Sequence, residues 1–162
     1  MIEEVPDKMK RSNDSGQTMV EVAISLSLFL ILVLGTIDFG YLYSTKLTLQ
    51  NAVRQGGRYA ITGQCITDGN GNCTMTRYNS ILQTVESYSL GLLTSSNITI
   101  TCTDEGGGCP SGAGGPGDIV TIKVTYPYNF LSGPIEAFFP GKTYTITVSS
   151  AFTNEPFPPS SS

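Results

Sequence analysis

Between Glu21 and Asp38, sixteen consecutive residues, Val22 to Ile37, carry no formal charge and are mostly Leu, Ile, Val, Phe and Ala. With Met19 and Phe39 as its ends the segment covers about 30 Å at helical rise, the thickness of a bilayer's hydrocarbon core. This is one membrane crossing. The helical pattern continues beyond it: after Asp38 there is no proline until Pro110, and Leu42, Leu49, Val53 and Tyr59 recur at spacings that a helix places near one side. The simplest reading is one long helix, half in lipid and half out.

A short polar leader precedes the helix and ends at Ser15-Gly16; Gln17 follows, and Glu21 is the fifth residue after the glycine, just inside the apolar run. This resembles the prepilin pattern of a glycine, four residues and a glutamate. An unpaired carboxylate in lipid costs on the order of 2 to 3 kcal/mol at a helix centre and less near an end, so Glu21 calls for a partner. The resemblance implies that a membrane peptidase cuts between Gly16 and Gln17, and that Glu21 pairs with the new α-amino group of a neighbouring subunit.

The next residues narrow the resemblance. Val20-Glu21-Val22-Ala23, Gly35-Thr36-Ile37-Asp38-Phe39-Gly40, and Leu49-Gln50-Asn51-Ala52 through Arg54, Gly56, Arg58, Tyr59 and Ala60 are similar, in order and spacing, to the TadE-like family of tight-adherence (Tad, or Flp) pilus proteins. Val22 stands where Phe is common in that family, and Gly57 where Ala is common. Tyr128-Asn129-Phe130 with Pro134 also fits a family element before the last strand.

About 100 residues remain after the helix, room for one small domain. Net charge is −4 and the nine Lys and Arg are scattered, which argues against nucleic acid as a partner. All four cysteines follow the apolar run: Cys65 and Cys73, then Cys102 and Cys109. Three pairings are possible; the sequence-local one needs the least loop ordering, and a chain outside the cytoplasm permits it. Neither pair has the spacing of a structural zinc site and there is no histidine, so no metal or cofactor is expected. Lys8, Lys10 and Arg11 before the apolar run favour a cytoplasmic leader, an argument diluted by Lys46, Arg54 and Arg58 beyond it. A removable secretory signal is a poorer account, since the run is long, contains Glu21 and lacks an A-x-A-like site after it.

Along the chain, residues 1 to 15 are polar without apolar repeats and are expected to be disordered. Ala52, Gly56 and Ala60, four residues apart, form a ridge with almost no side chain; it suits close approach by another helix or by the domain's own sheet. Gly56-Gly57 is also a place where the helix could end. Asp68, Asn70 and Asn72 alternate like half a calcium loop, but Cys73 and Asn79 stand where glycine and glutamate are needed, so a turn is the better account. Tyr78, Ile81, Leu82, Val85 and Tyr88 predict an amphipathic helix from Thr76 to Leu90, stopped by Gly91. Three alternating segments predict strands: Ile98 to Thr103, Val120 to Tyr126 and Thr143 to Phe152. Between the first two, Gly112, Gly114 and Gly117 satisfy G-x-G-x-x-G formally, but they enclose Pro116 and lead into a strand, which excludes a nucleotide loop and suggests a flexible one. The proline-rich end, residues 155 to 162, cannot continue a sheet.

The expected fold is α+β and type IV pilin-like: a leader (1–16), a transmembrane helix (17–39), an exoplasmic domain (40–154) with a second helix and an antiparallel sheet of three or more strands, and a disordered tail (155–162). The family resemblance implies a minor pilin or pseudopilin, cut by prepilin peptidase and acting in Tad pilus assembly and surface adhesion. Its partners would be other pilus subunits, the Tad assembly machinery and the bilayer of the bacterial inner membrane, with the C-terminal domain periplasmic or carried into an extracellular pilus. The alternative is an uncleaved, membrane-anchored binding module. An enzyme is not expected: there is no histidine, and no motif places an acidic pair.

Overall fold

The computed structural model describes residues 11–103, 112–137, 139 and 141–156. Its first element is a single 51-residue helix, α1 (Arg11–Ile61). The helix takes in residues 11 to 15 of the stretch expected to be disordered. Extending an existing helix adds one hydrogen bond per residue ordered and needs no new nucleus, so polar residues 11 to 15 can follow the apolar run into helix. Nor does α1 stop at Gly56-Gly57. Hydroxyls within it are satisfied one turn back, Ser27 on the Ala23 carbonyl at 2.8 Å and Thr36 on that of Leu32 at 2.9 Å, so neither leaves an unmet donor in the apolar run.

The second helix, α2 (Arg77–Tyr88), is capped by Thr76, whose side chain accepts from the Asn79 N–H. Ile81 and Val85 face the core, while Tyr88, at the last turn of the expected apolar stripe, is about half exposed. A 3-10 turn (Ser95–Asn97) leads into β1 (Ile98–Thr103), followed by β2 (Ile119–Asn129), a one-turn helix α3 (Gly133–Glu136) and β3 (Thr143–Thr153). The sheet order is β1-β2-β3, antiparallel throughout. Its alternation is the one legible in the chain: Ile98, Ile100, Val120, Ile122, Val124, Ile146 and Val148 point inward, and the threonines between them point out.

The core lies between this inner face, α2 and the C-terminal half of α1, where Leu49, Ala52, Val53 and Ala60 are fully buried. The small-residue ridge is therefore used within the domain. A Cβ added at Gly56 would collide with Val85 of α2 and touch Ile122 of β2, and one at Gly57 would collide with the Phe152 ring of β3. Of the two occupants considered for the ridge, the chain's own sheet and second helix fill it.

Two tethers set the sheet's height on α1. At one end the Tyr128 hydroxyl donates to the Asp38 carbonyl at 3.2 Å; at the other the Glu155 N–H donates to the Ile61 carbonyl at 3.0 Å. Arg77 adds to the second, its guanidinium donating to the Ala60 carbonyl at 2.5 Å and to that of Gly114, which satisfies an orphan carbonyl at the helix end. Burial pulls the Arg77 pKa below its ordinary value, and the nearby Asp118 charge opposes that shift. The Gly-rich segment beside it is built in rather than loose. Ala113 is buried, the Asn154 amide donates to the carbonyls of Ala113 and Gly115, and Asp118 accepts from the Gly115 N–H. The preceding residues of that loop, 104–111, lie outside the described residues, as do 1–10 and 157–162.

Two helix glycines test this packing, because each gains roughly 1 kcal/mol of helix propensity when changed to alanine. Gly40 has nothing within 4 Å of an added Cβ, so Gly40→Ala raises the thermal midpoint in detergent. Gly56→Ala meets stiff, fully buried Val85, and overpacking there costs about 1 to 3 kcal/mol, so the midpoint falls. A rise in both would mean that the α1–α2 contact is loose.

Candidate functional site

The chemistry-bearing residues singled out from the sequence lie at two levels of α1. Gly16, Gln17 and Glu21 are on its N-terminal, unpacked part, where every residue from 16 to 33 is exposed. A Cβ at Gly16 would meet nothing within 4 Å. Glu21 has no hydrogen-bond or ion-pair partner among the described residues. Gly16 lies within α1, where a glycine weakens the helix interior.

The second level is where the apolar run ends. Asp38, the sole charge between Glu21 and Lys46, is 1% exposed although it closes an otherwise bare stretch of helix. The β2–α3 turn covers it. One carboxylate oxygen accepts from the Leu131 N–H at 2.8 Å; the other accepts from the Ser132 N–H at 3.2 Å and from the Ser132 hydroxyl. Ser132 is also the N-cap of α3, with Pro134 in the helix's first turn, so one short sequence both starts α3 and binds the carboxylate. Around this clasp Tyr41 packs on Tyr128 at 5.9 Å between centroids, Tyr128 on Phe130 at 5.4 Å, and Phe130 on Phe139 at 4.3 Å. The aromatic chain shields the charge from water, and the three donors replace its hydration.

In the sequence Asp38 stands only as part of the Gly35 to Gly40 motif, with no role of its own. The signal that could have revealed it was available: a lone carboxylate at a membrane exit needs donors, and Leu131-Ser132-Gly133-Pro134 is the chain's N-cap-like sequence nearest an aromatic cluster.

In the distal loops, Cys65 and Cys73 are bonded to each other. Cys102 is also disulfide-bonded, and Cys109, the partner expected for it, lies outside the described residues. Asp68 between the first pair is committed to its own turn, accepting from the N–H groups of Asn70 and Asn72 at 2.9 Å each. These bonds, that of Asn72 foremost, lower the Asp68 pKa, so this support for the turn is complete above the ordinary carboxylate range and is lost as pH falls through the lowered value. No cluster of three metal-ligating side chains occurs among the described residues.

Fold and site together define a chain with one N-terminal apolar helix of membrane-spanning length, consistent with a single-pass anchor, that continues without a break into a small α+β domain. Residues 16–58 match the family model of TadE-like protein, the family to which the helix motifs point. The match begins at Gly16, takes in both Glu21 and Asp38, and ends within the buried half of α1. No curated protein and no solved structure matches the chain.

Removing the clasp carboxylate leaves three part-buried donors without their acceptor. Asp38→Ala destabilises the domain by on the order of 3 kcal/mol. Amide hydrogen exchange locates the damage: the Leu131 and Ser132 N–H groups exchange faster in the variant, while those of β2 near Ile122 follow only the global change. Unchanged exchange at Leu131 and Ser132 would show that the carboxylate does not hold the turn.

Proposed function

We propose that this protein is a minor pilin or pseudopilin of a Tad pilus, cut between Gly16 and Gln17 and assembled through its N-terminal helix. The observation that carries the reading is the TadE-like match over residues 16–58, which starts at the proposed processing glycine. Exposure of the whole N-terminal part of α1 supports it, because an apolar helix with no cover from its own domain is suited first to lipid and then to neighbouring helices. Glu21 adds the register. Its carboxylate has no partner among the described residues, and cleavage would create an α-amino group at Gln17 of a second subunit, an opposite charge able to offset the cost of leaving Glu21 in an apolar environment.

In this reading the function is assembly by packing, with no covalent chemistry performed by the protein itself. The Cys65–Cys73 disulfide supports an oxidising location for the domain, hence a periplasmic or extracellular face. Adhesion would then follow from the pilus as a whole.

Intact mass of the membrane-extracted protein tests the processing step. In cells with a cognate prepilin peptidase the mature chain begins at Gln17; without the peptidase, or with Gly16→Ala, it keeps the leader. Glu21→Ala leaves cleavage intact and reduces recovery of the protein with sheared pili or pilus-assembly complexes by about tenfold or more, as loss of one buried charge pair implies. A full-length mass under every condition contradicts the proposal and favours an uncleaved, membrane-anchored binding module.

A further inference from the structure

The turn that clasps Asp38 does not stop at its level. Ile135 of α3 reaches down α1 to Gly35, where an added Cβ would lie 3.5 Å from the Ile135 Cδ1 atom. Gly35 is four residues inside the far end of the 17–39 crossing, or about 6 Å below Phe39 at helical rise. A part of the folded domain thus shares depth with the end of the membrane-crossing segment.

That part is built like a structure that tolerates lipid. The segment Phe130 to Pro140 reads FLSGPIEAFFP, with Glu136 as its one charge, and Glu136 pairs with Lys142 at 3.6 Å. Among its described residues, six backbone N–H groups have acceptors within the chain. The Leu131 and Ser132 N–H groups go to Asp38, those of Ile135 and Glu136 to the Ser132 carbonyl, that of Ala137 to Gly133, and that of Phe139 to Glu136. Such closure is what a backbone needs where water is scarce. Yet Leu131, whose N–H bonds the Asp38 carboxylate, is 65% exposed, and Phe39, Tyr41 and Tyr43, which follow Asp38 on α1, are exposed as well. Aromatic residues next to an apolar crossing suit the membrane interface.

We propose that the start of the β2–β3 connection, residues Leu131 to Ala137, is a second membrane-contacting element, seated in the headgroup and upper acyl region of the leaflet that α1 leaves, with Leu131 inserted into lipid. The occupant of this exposed apolar surface is the bilayer, because the surface is continuous with the helix that crosses it. The proposal rests on the reading that residues 17–39 span the membrane. Its consequence is orientation. A lone helix can tilt and rotate freely, whereas a helix with a side element at one interface has a fixed rotational setting, and that decides which face Glu21 presents to a neighbour.

The chain contains no tryptophan, so single-tryptophan variants report depth without background. Full-length protein carrying Leu131→Trp is reconstituted in phosphatidylcholine vesicles brominated either near the headgroup end or near the methyl end of the acyl chains. Leu28→Trp, within the apolar run, and Ile119→Trp, at the opposite end of β2, serve as references. Leu131→Trp is expected to emit at shorter wavelength than Ile119→Trp and to be quenched about twofold or more by the shallow bromines and less by the deep ones, as an interfacial position requires. Leu28→Trp shows the reverse order, and Ile119→Trp is quenched by neither. Absence of quenching at position 131 with deep quenching at position 28 overturns the proposal and leaves the crossing intact. Absence at both overturns the crossing and the proposal with it.

Discussion

Everything in this fold hangs on the continuity of α1. One helix supplies a stretch that is exposed all round to Val33, then, without interruption, a face whose Leu49, Val53 and Ala60 are fully buried beneath a sheet. The two halves obey different solvents. In the first, every side is apolar, as lipid demands; in the second, burial is confined to one side, with Arg54 and Arg58 outside it. Because the helix is shared, the domain has no linker by which to move independently of the apolar segment. Lengths match as well: β2 from Ile119 to Tyr128 rises about 30 Å, and α1 from Asp38 to Ile61 about 34 Å, so the sheet, tied at one end through Tyr128 and at the other through Glu155 after β3, spans nearly the whole projecting half.

The braces at the two ends differ in kind. The distal one uses neutral and charged donors, Glu155 N–H and the Arg77 guanidinium, to satisfy carbonyls that any helix end exposes. The proximal one buries a carboxylate. Asp38 would be expensive at a membrane exit if left bare, and three donors from Leu131 and Ser132 turn that cost into a specific attachment. A hydrophobic contact alone could slide by a helical turn, since α1 offers apolar residues along its length; a hydrogen-bonded carboxylate fixes the register. The family match, which ends at residue 58, covers Asp38 but not the turn that binds it.

Much of this was legible in the sequence, and the exceptions share a cause. The three strands follow from alternation of apolar with polar, mostly Thr, residues, and α2 from the spacing of Ile81 and Val85, because those patterns are local. The helix motifs around Glu21 and Asp38 were enough to point to the TadE-like family. What escaped depends on residues distant in the chain. Asp38 meets Ser132, 94 positions away, and Arg77 caps a helix end 17 positions before it. Gly56 could have faced another subunit or Val85, and only the assembled core decides. The helical state of residues 11 to 15 escaped for a different reason: polar residues do not announce a helix that they join only because one is already formed.

The claim on which the rest depends is that α1 passes the membrane exit unbroken although Gly35 and Gly40 flank Asp38. Pulsed electron–electron spin resonance between labels at Leu28 and Arg54, both exposed, measures this directly in reconstituted full-length protein. A straight helix separates those positions by about 39 Å along its axis, and the account predicts a single narrow distribution near that value. A broad distribution, or one centred well below it, would place a hinge at the exit and contradict the account.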